Sequence, residues 1–320
     1  MTLHQADGTA NTPTDVPIAN RKRIASLLPS TTEIVAALGL LDDLVAVTFE
    51  CDYPLGVRDG RAIAVDTAMP HDLTPGEIDT FVRARMAAGL PMYELDSAVI
   101  TTLQPSVVLT QDLCQVCALP AGEVNAAMDK LGCQAHVVTF DPHSVDEVFA
   151  GIELIANTLD AASAGRRLTD ELRGRRQRVI DRVASIEVAS TAANRPKPRV
   201  LVLEWIDPPF VAGHWVPELV STAGGEVLLG IPGGRSTTVT WAEAEASNPD
   251  VVLVAPCGFD LDGAVAQAQS VAHHFPNAQL WAIDGNAYVT RPGPRLIDAI
   301  EAIARALHDH QPTPGITARA

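Results

Sequence analysis

The sequence predicts an α/β protein of two lobes joined by one long helix, and three observations predict it. Short apolar runs of strand length alternate along the chain with amphipathic helical windows, the pattern of buried parallel strands covered by helices. The run Gln104-Pro105-Ser106-Val107-Val108-Leu109 returns in pattern as Asn248-Pro249-Asp250-Val251-Val252-Leu253, so each half carries the same Pro-led strand. Between the halves lies a Pro-free stretch of helical composition, Ser144 to Ile186. The length of 320 residues agrees, since one hydrophobic core rarely serves more than about 250 residues.

In chain order, residues 1–21 are polar, rich in Thr, Ala, Pro and Asp, and are expected to form a disordered leader. The apolar run after Arg21-Lys22-Arg23 is too short for a secretory core, which needs about 7 to 15 residues. The N-terminal lobe is expected over 22–143, with strands at Arg23–Leu28, Leu44–Thr48, Val107–Thr110 and Ala135–Phe140. Its first helix reads as opening on a capping box, Ser30 with Glu33, and stopping at Gly39. The linking segment, 144–189, breaks near Asp160. Its second part, about 26 residues, would extend roughly 39 Å and strut the lobes apart, its charged stretch Arg166 to Arg182 included. The C-terminal lobe, 190–310, restarts after a Pro- and Asn-containing linker with strands at Arg199–Leu203, Val251–Ala255 and Gln279–Ile283. Residues 311–320 are expected to fray.

Composition limits the function. A formal charge of −16 argues against nucleic acid and anionic membrane surfaces as partners, because both require a basic footprint. No apolar run approaches the roughly 18 residues of a membrane span. Five cysteines, odd in number and sparse, suit a reducing compartment, and with the missing export signal they predict a cytoplasmic monomer. Nucleophile elbow, phosphate loop and dinucleotide fingerprint are all missing, and Gly230-Ile231-Pro232-Gly233-Gly234 is a lone Gly-rich turn, so a binder rather than an enzyme is expected. Cys114 and Cys117 have redox or zinc spacing without a second pair, although Cys51 and Cys257 would complete four ligands if their loops converged. His273-His274 reads as a surface pair at a helix end.

Ligands of open α/β sheets bind outside the carboxyl ends of the strands. At those positions stand Glu50-Cys51-Asp52-Tyr53-Pro54, Gln111 to Cys117, Glu204 to Phe210 and Pro256-Cys257-Gly258-Phe259. Aromatic residues make up only 4% of the chain, so their concentration there marks a candidate ligand cleft.

The segments Ser26 to Glu33, Glu50 to Pro54, Asp207 to Trp215 and Tyr288 to Arg295, with the strand-leading Pro105 and Pro249, resemble the helical-backbone (class III) substrate-binding proteins that serve ABC importers, in particular their cobalamin-binding branch. The resemblance covers about residues 22 to 308. It implies two Rossmann-like lobes on a single backbone helix, with a corrinoid such as cobalamin held between them. Tyr53 and Phe210 fall where that family has cleft aromatics. Trp215, Trp241, Tyr288 and Arg291 become candidate walls or rim contacts, and Trp205 is expected to pack within its lobe. Pro29 and Ser30 begin a helix whose N-terminal amides would face the ligand. His214, or a thiolate of Cys114 or Cys117, is a candidate axial donor to cobalt.

The sequence departs from that family where its members carry a permease-docking acid on each lobe. Here Ala98 and Ala242 fall at those positions, with Asp96 and Glu243 beside them. The expectation is therefore a cytoplasmic corrinoid carrier whose receiver is an ABC permease or a corrinoid-handling protein. Two alternatives remain open: a binder of another metal chelate, haem or a ferric siderophore, and a redox or zinc protein working through Cys114 and Cys117.

Overall fold

Two sheets, each with a parallel centre, organise the chain; the computed structural model describes residues 22–112, 119–192, 196–309 and 315–318. The expected leader, the Cys114–Cys117 pair and part of the expected linker lie outside the described residues.

The first sheet runs in the order β4 (Tyr93–Leu95), β3 (Ala62–Thr67), β2 (Leu44–Thr48), β1 (Ile24–Ser26), β5 (Val107–Thr110), β6 (His136–Thr139). All pairings are parallel except that of β4, at the edge. Chain order reverses between β1 and β5, and at such a switch point the loops leaving the carboxyl ends part and open a crevice. From β1 the chain enters that crevice directly as α1 (Pro29–Ala37).

The second sheet has the order β10 (Thr237–Thr238), β8 (Pro209–Val211), β7 (Arg199–Ile206), β11 (Val251–Val254), β12 (Gln279–Ile283), β13 (Ile316–Ala318), with β9 (Glu226–Leu228) also pairing with β7. Its parallel centre, β7, β11 and β12, is buried and rich in Val, Leu and Ile, as two-sided burial demands. Of the segment expected to fray, the described residues 315–318 include a strand: Ile316 pairs with Ile283, is 5% exposed, and β13 closes the sheet as an antiparallel edge.

One long helix, α6 (Ala162–Ala192), joins the lobes as expected; it follows α5 (Val145–Thr158) across a break at Asp160, whose φ is 58°. At 31 residues α6 is about 46 Å long, longer than the sequence suggests. Leu172, Val179 and Val183 on α6 join Phe149 and Ile152 of α5 and Leu307 of α11 (Leu296–Asp309) in one buried cluster that includes residues of both sheets. Its charges are not an idle solvated face. Arg173 pairs with Glu153 of α5 (2.9 Å), Arg176 with Asp146 and Glu218 (2.6 Å each), and Arg175 with Asp298 and Glu301 of α11 (2.5 and 2.8 Å). Such partly exposed pairs stabilise weakly one by one, so the apolar seam holds the strut while the ion pairs set its register against both lobes.

The first helix starts differently from expectation. Its N-cap is Leu28, with no side-chain cap, Pro29 stands in the first turn, and Ser30 lies inside the helix. Glu33 makes no capping box because two arginines of the other lobe engage its carboxylate instead.

Candidate functional site

The start of α1 and the loop after β2 meet the 291–295 segment of the other lobe, and the loops around this contact build the site. From the N-terminal lobe come Pro29 and Ser30 at the start of α1, and Glu50, Asp52 and Tyr53 after β2. From the C-terminal lobe come Glu204 and Trp205 at the end of β7, the β7–β8 turn with Asp207, the 212–236 loops, and the segment from α10 (Gly285–Tyr288) to Arg295.

The tightest interlobe contact is an ion cluster. Glu33, 3% exposed, accepts from Arg295 Nε at 2.8 Å and again from Arg295 Nη2, and lies 3.5 Å from Arg291 Nη1. Arg291 also pairs with Asp52, through Nη1 and through Nη2 at 3.1 Å, and donates to the Glu50 carbonyl at 3.2 Å. Burial pushes the Glu33 carboxyl above its ordinary range, even though Arg295 and Arg291 pull it down. For the guanidiniums the balance falls the other way: burial works against their charge, but the acids around them outweigh it and both are raised. Arg295 also lies over the Tyr53 ring at 4.2 Å, a cation–π contact that fixes one face of an otherwise half-exposed aromatic. Glu50, accepting a hydrogen bond from Tyr93, is pushed by burial to about 7 against the pull of Arg291.

Three further contacts close the seam. A Cβ on Gly76, at the start of α2 (Pro75–Ala87), would overlap the Asp207 carboxylate, its Cγ lying 3.1 Å away. His143, after β6, donates from Nδ1 to the Gly233 carbonyl at 3.1 Å. The Val145 amide donates to Glu218 Oε2 at 2.8 Å.

Within the C-terminal lobe Glu204 organises the β8 loop, accepting from the Gly213 amide at 3.1 Å and from the Ser236 hydroxyl. Burial, opposed by those two donors, raises its pKa to about 7. Gly213 has no room for a side chain, because a Cβ would overlap the Ser236 amide and stand 2.5 Å from the Arg235 carbonyl carbon. Gly213→Ala is expected to lower stability by about 1–3 kcal/mol, read as a lower urea midpoint.

Of the sequence-predicted residues, Ser30, Tyr53 and Arg291 come together at this seam, with Pro29 preceding Ser30 in α1; the Ser30 carbonyl lies 3.8 Å from where a Cβ on Gly293 would stand. Phe210 is half-buried on β8, in register with Trp205. Trp205 packs within the lobe as expected, against Phe259 at 5.8 Å. Tyr288 is half-buried beside Gly315, and burial raises its pKa. His214, at φ 50°, places its ring 5.7 Å from those of His143 and Trp215; its Nε2 is buried with no hydrogen-bond partner among the described residues, and burial with His143 and Arg235 lowers its pKa.

Two expected walls are placed elsewhere. Trp215 is 5% exposed and donates to the Val289 carbonyl at 2.7 Å, so it belongs to the core. Trp241, opening α8 (Trp241–Ala246), stacks on His274 at 4.0 Å. His274 follows α9 (Leu261–Val271), which begins at the carboxyl end of β11 and carries the chain back to the opposite end of the sheet, away from the seam. Cys51 is buried beside the Thr32 and Thr48 hydroxyls, whereas Cys257 is exposed. Among the described residues no cluster of three or more His, Cys, Asp or Glu could hold a metal ion.

Sequence reasoning missed Glu33 as an interlobe residue, and with it Arg295 and His143; Glu204 lay in a strand-end segment it marked, but without a role of its own. His143 stands just beyond β6, so the rule that marked Tyr53 could have found it. Glu33 carries no such signal, since its partners lie more than 250 residues away.

Similarity to known proteins agrees with this architecture. The "Vitamin B12-binding protein" of Vibrio cholerae serotype O1 is 24% identical over 289 residues, 89% of each chain. Among solved structures, a periplasmic haem-binding protein from Pseudomonas aeruginosa superposes with a TM-score of 0.68 at 18% identity, over 93% of this chain and 98% of that one. The periplasmic vitamin B12-binding protein of Vibrio cholerae gives 0.61 at 22%, over 91% and 98%. These periplasmic counterparts overturn the cytoplasmic location read from the absent export signal and the free cysteines; a sparse, odd cysteine count does not report the compartment of a chain with a core large enough to need no disulfides. The family described as periplasmic binding protein matches residues 24–282, and the chain belongs to it.

Proposed function

We propose that the protein binds one corrinoid, a cobalamin-like metal chelate, between its lobes. The observation that carries the reading is the similarity to proteins named for vitamin B12 binding along 89% of the chain, with the aromatics Tyr53, after β2, and Phe210, on β8 beside the end of β7, in opposite lobes. A corrin is a broad apolar disc with a polar amide rim, which suits aromatic walls and a few polar groups better than a uniformly polar site. In this reading Tyr53, Phe210 and Tyr288 contact the ring, and Pro29, Ser30 and Arg291 contact its rim. His214 is the candidate axial nitrogen: its lowered pKa favours the neutral imidazole, and its Nε2 has no hydrogen-bond partner among the described residues. Cys114 and Cys117 remain candidate ligand contacts, with Cys117 the alternative cobalt donor.

The receiver in this account is an ABC permease. The exposed acids Asp96 and Glu243, one on each lobe, are held at helix N-termini, Asp96 by the amides of Ala98 and Val99 and Glu243 within a capping box with Thr240. A second reading, haem as the chelate, is favoured by the superposition on the haem-binding protein.

Calorimetric titration with cyanocobalamin and with haemin separates the two. Saturable 1:1 binding of the corrinoid, weakened about tenfold or more by Tyr53→Ala and Phe210→Ala, is expected. Binding of haemin alone would transfer the proposal to the second reading.

A further inference from the structure

The arginines beside Tyr53 look at first like a site for an anion, and their surroundings argue the reverse. Arg295 spends two N–H bonds on the 3%-exposed Glu33 carboxylate, and Arg291 spends its own on Asp52, on the Glu50 carbonyl and on the edge of Glu33. Two cations therefore face two carboxylates, with the Glu50 carboxyl close by. A ligand carboxylate entering here would meet guanidiniums whose charge is already balanced, and would stand next to Glu33 and Asp52 as a third like charge. A ligand amide meets none of that repulsion. Each guanidinium carries five N–H donors, and a neutral carbonyl can accept from directions the carboxylates leave over.

Resting on the metal-chelate reading of the cleft, we infer that the acid-balanced pair Arg291 and Arg295 makes the site select chelates whose rim carries neutral amides over the same chelates bearing carboxylates. The selection is by repulsion: the acids that satisfy the arginines also reject an acidic rim. Glu33 and Asp52 are thus specificity-determining residues that act through the arginines and by their own charge. The interlobe position adds to the effect, because closing the cleft removes the solvent that would screen a third carboxylate.

The test compares dicyanocobinamide, with an amide rim, against dicyanocobyrinic acid, the corresponding corrinoid with carboxylates, by quenching of tryptophan fluorescence. Wild type is expected to prefer the amide form by about tenfold or more, and Asp52→Asn and Glu33→Gln are each expected to narrow that ratio by about threefold or more by relieving the repulsion. Asp52 is half-exposed and an asparagine keeps a side-chain oxygen for Arg291, which retains Glu33, so Asp52→Asn is the milder change and decides the matter if Glu33→Gln proves too unstable to titrate. An unchanged ratio in folded Asp52→Asn, or a wild type that prefers the acid, would overturn the inference while leaving chelate binding in place. Failure of wild type to bind either corrinoid or haemin would instead overturn the metal-chelate reading and the inference with it.

Discussion

Glu33→Ala is expected to destabilise the protein by about 3–5 kcal/mol, the largest loss of any single substitution at the seam. Removing the carboxylate leaves Arg295, 16% exposed, with no anion on its Nε and Nη2, and takes one of two acids from Arg291, 10% exposed. The cost is that of stranding buried charge, not the net worth of the ion pair. The double replacement Glu33→Met with Arg295→Met should accordingly recover much of the loss, because it removes both desolvation penalties while keeping volume. Urea unfolding of the two variants beside wild type reads the difference. Equal losses in both would mean that packing around Glu33, rather than its charge, holds the lobes.

The second large effect is a pH dependence seated on Glu204. Its folded pKa of about 7 lies above its ordinary value of 4.5. Between those values the native state keeps a proton that the unfolded chain has lost, so the slope of stability against pH is negative there. Stability from this group is therefore present at acidic pH, declines as pH rises from about 4.5 to about 7, and is flat above. The full excursion is on the order of 3 kcal/mol. Glu50, also raised to about 7, works in the same direction, whereas other carboxylates add their own slopes, so the informative quantity is a difference between proteins. The urea midpoint of wild type minus that of Glu204→Gln should fall across this window. Parallel curves for the two proteins would show that Glu204 titrates alike in the folded and unfolded chains.

Much of the fold was legible because it depends on local pattern. Leu44–Thr48, Val107–Thr110 and Gln279–Ile283 are apolar runs bounded by turn residues, and the structure gives them those limits. The break at Asp160 was legible too, from composition alone. What escaped depends on long-range partners. β8 begins with a proline and β4 is three residues long, so neither shows a strand's alternation; each exists because a neighbouring strand offers its edge. β13 likewise needs β12 beside it.

The site divides along the same line. Tyr53 and Arg291 were found because position after a strand, or a motif, marks the seam. Trp215 and Trp241 were misplaced because an aromatic beside a motif residue is as readily core as wall, and only the Val289 carbonyl and the His274 ring reveal which. Ser30 and Glu33 carry a sequence that spells a helix cap, yet the competing guanidiniums of the other lobe win the carboxylate. A charge-assisted bond to a buried arginine outweighs a cap worth about 1 kcal/mol.

The most direct test of chelate binding between the lobes is a crystal structure of the protein grown with cyanocobalamin, with cobalt located by anomalous scattering. One cobalt peak per chain, between Tyr53 of one lobe and Phe210 of the other, is the predicted result. A peak on the outer surface, or crystals of saturated protein without cobalt, would contradict it.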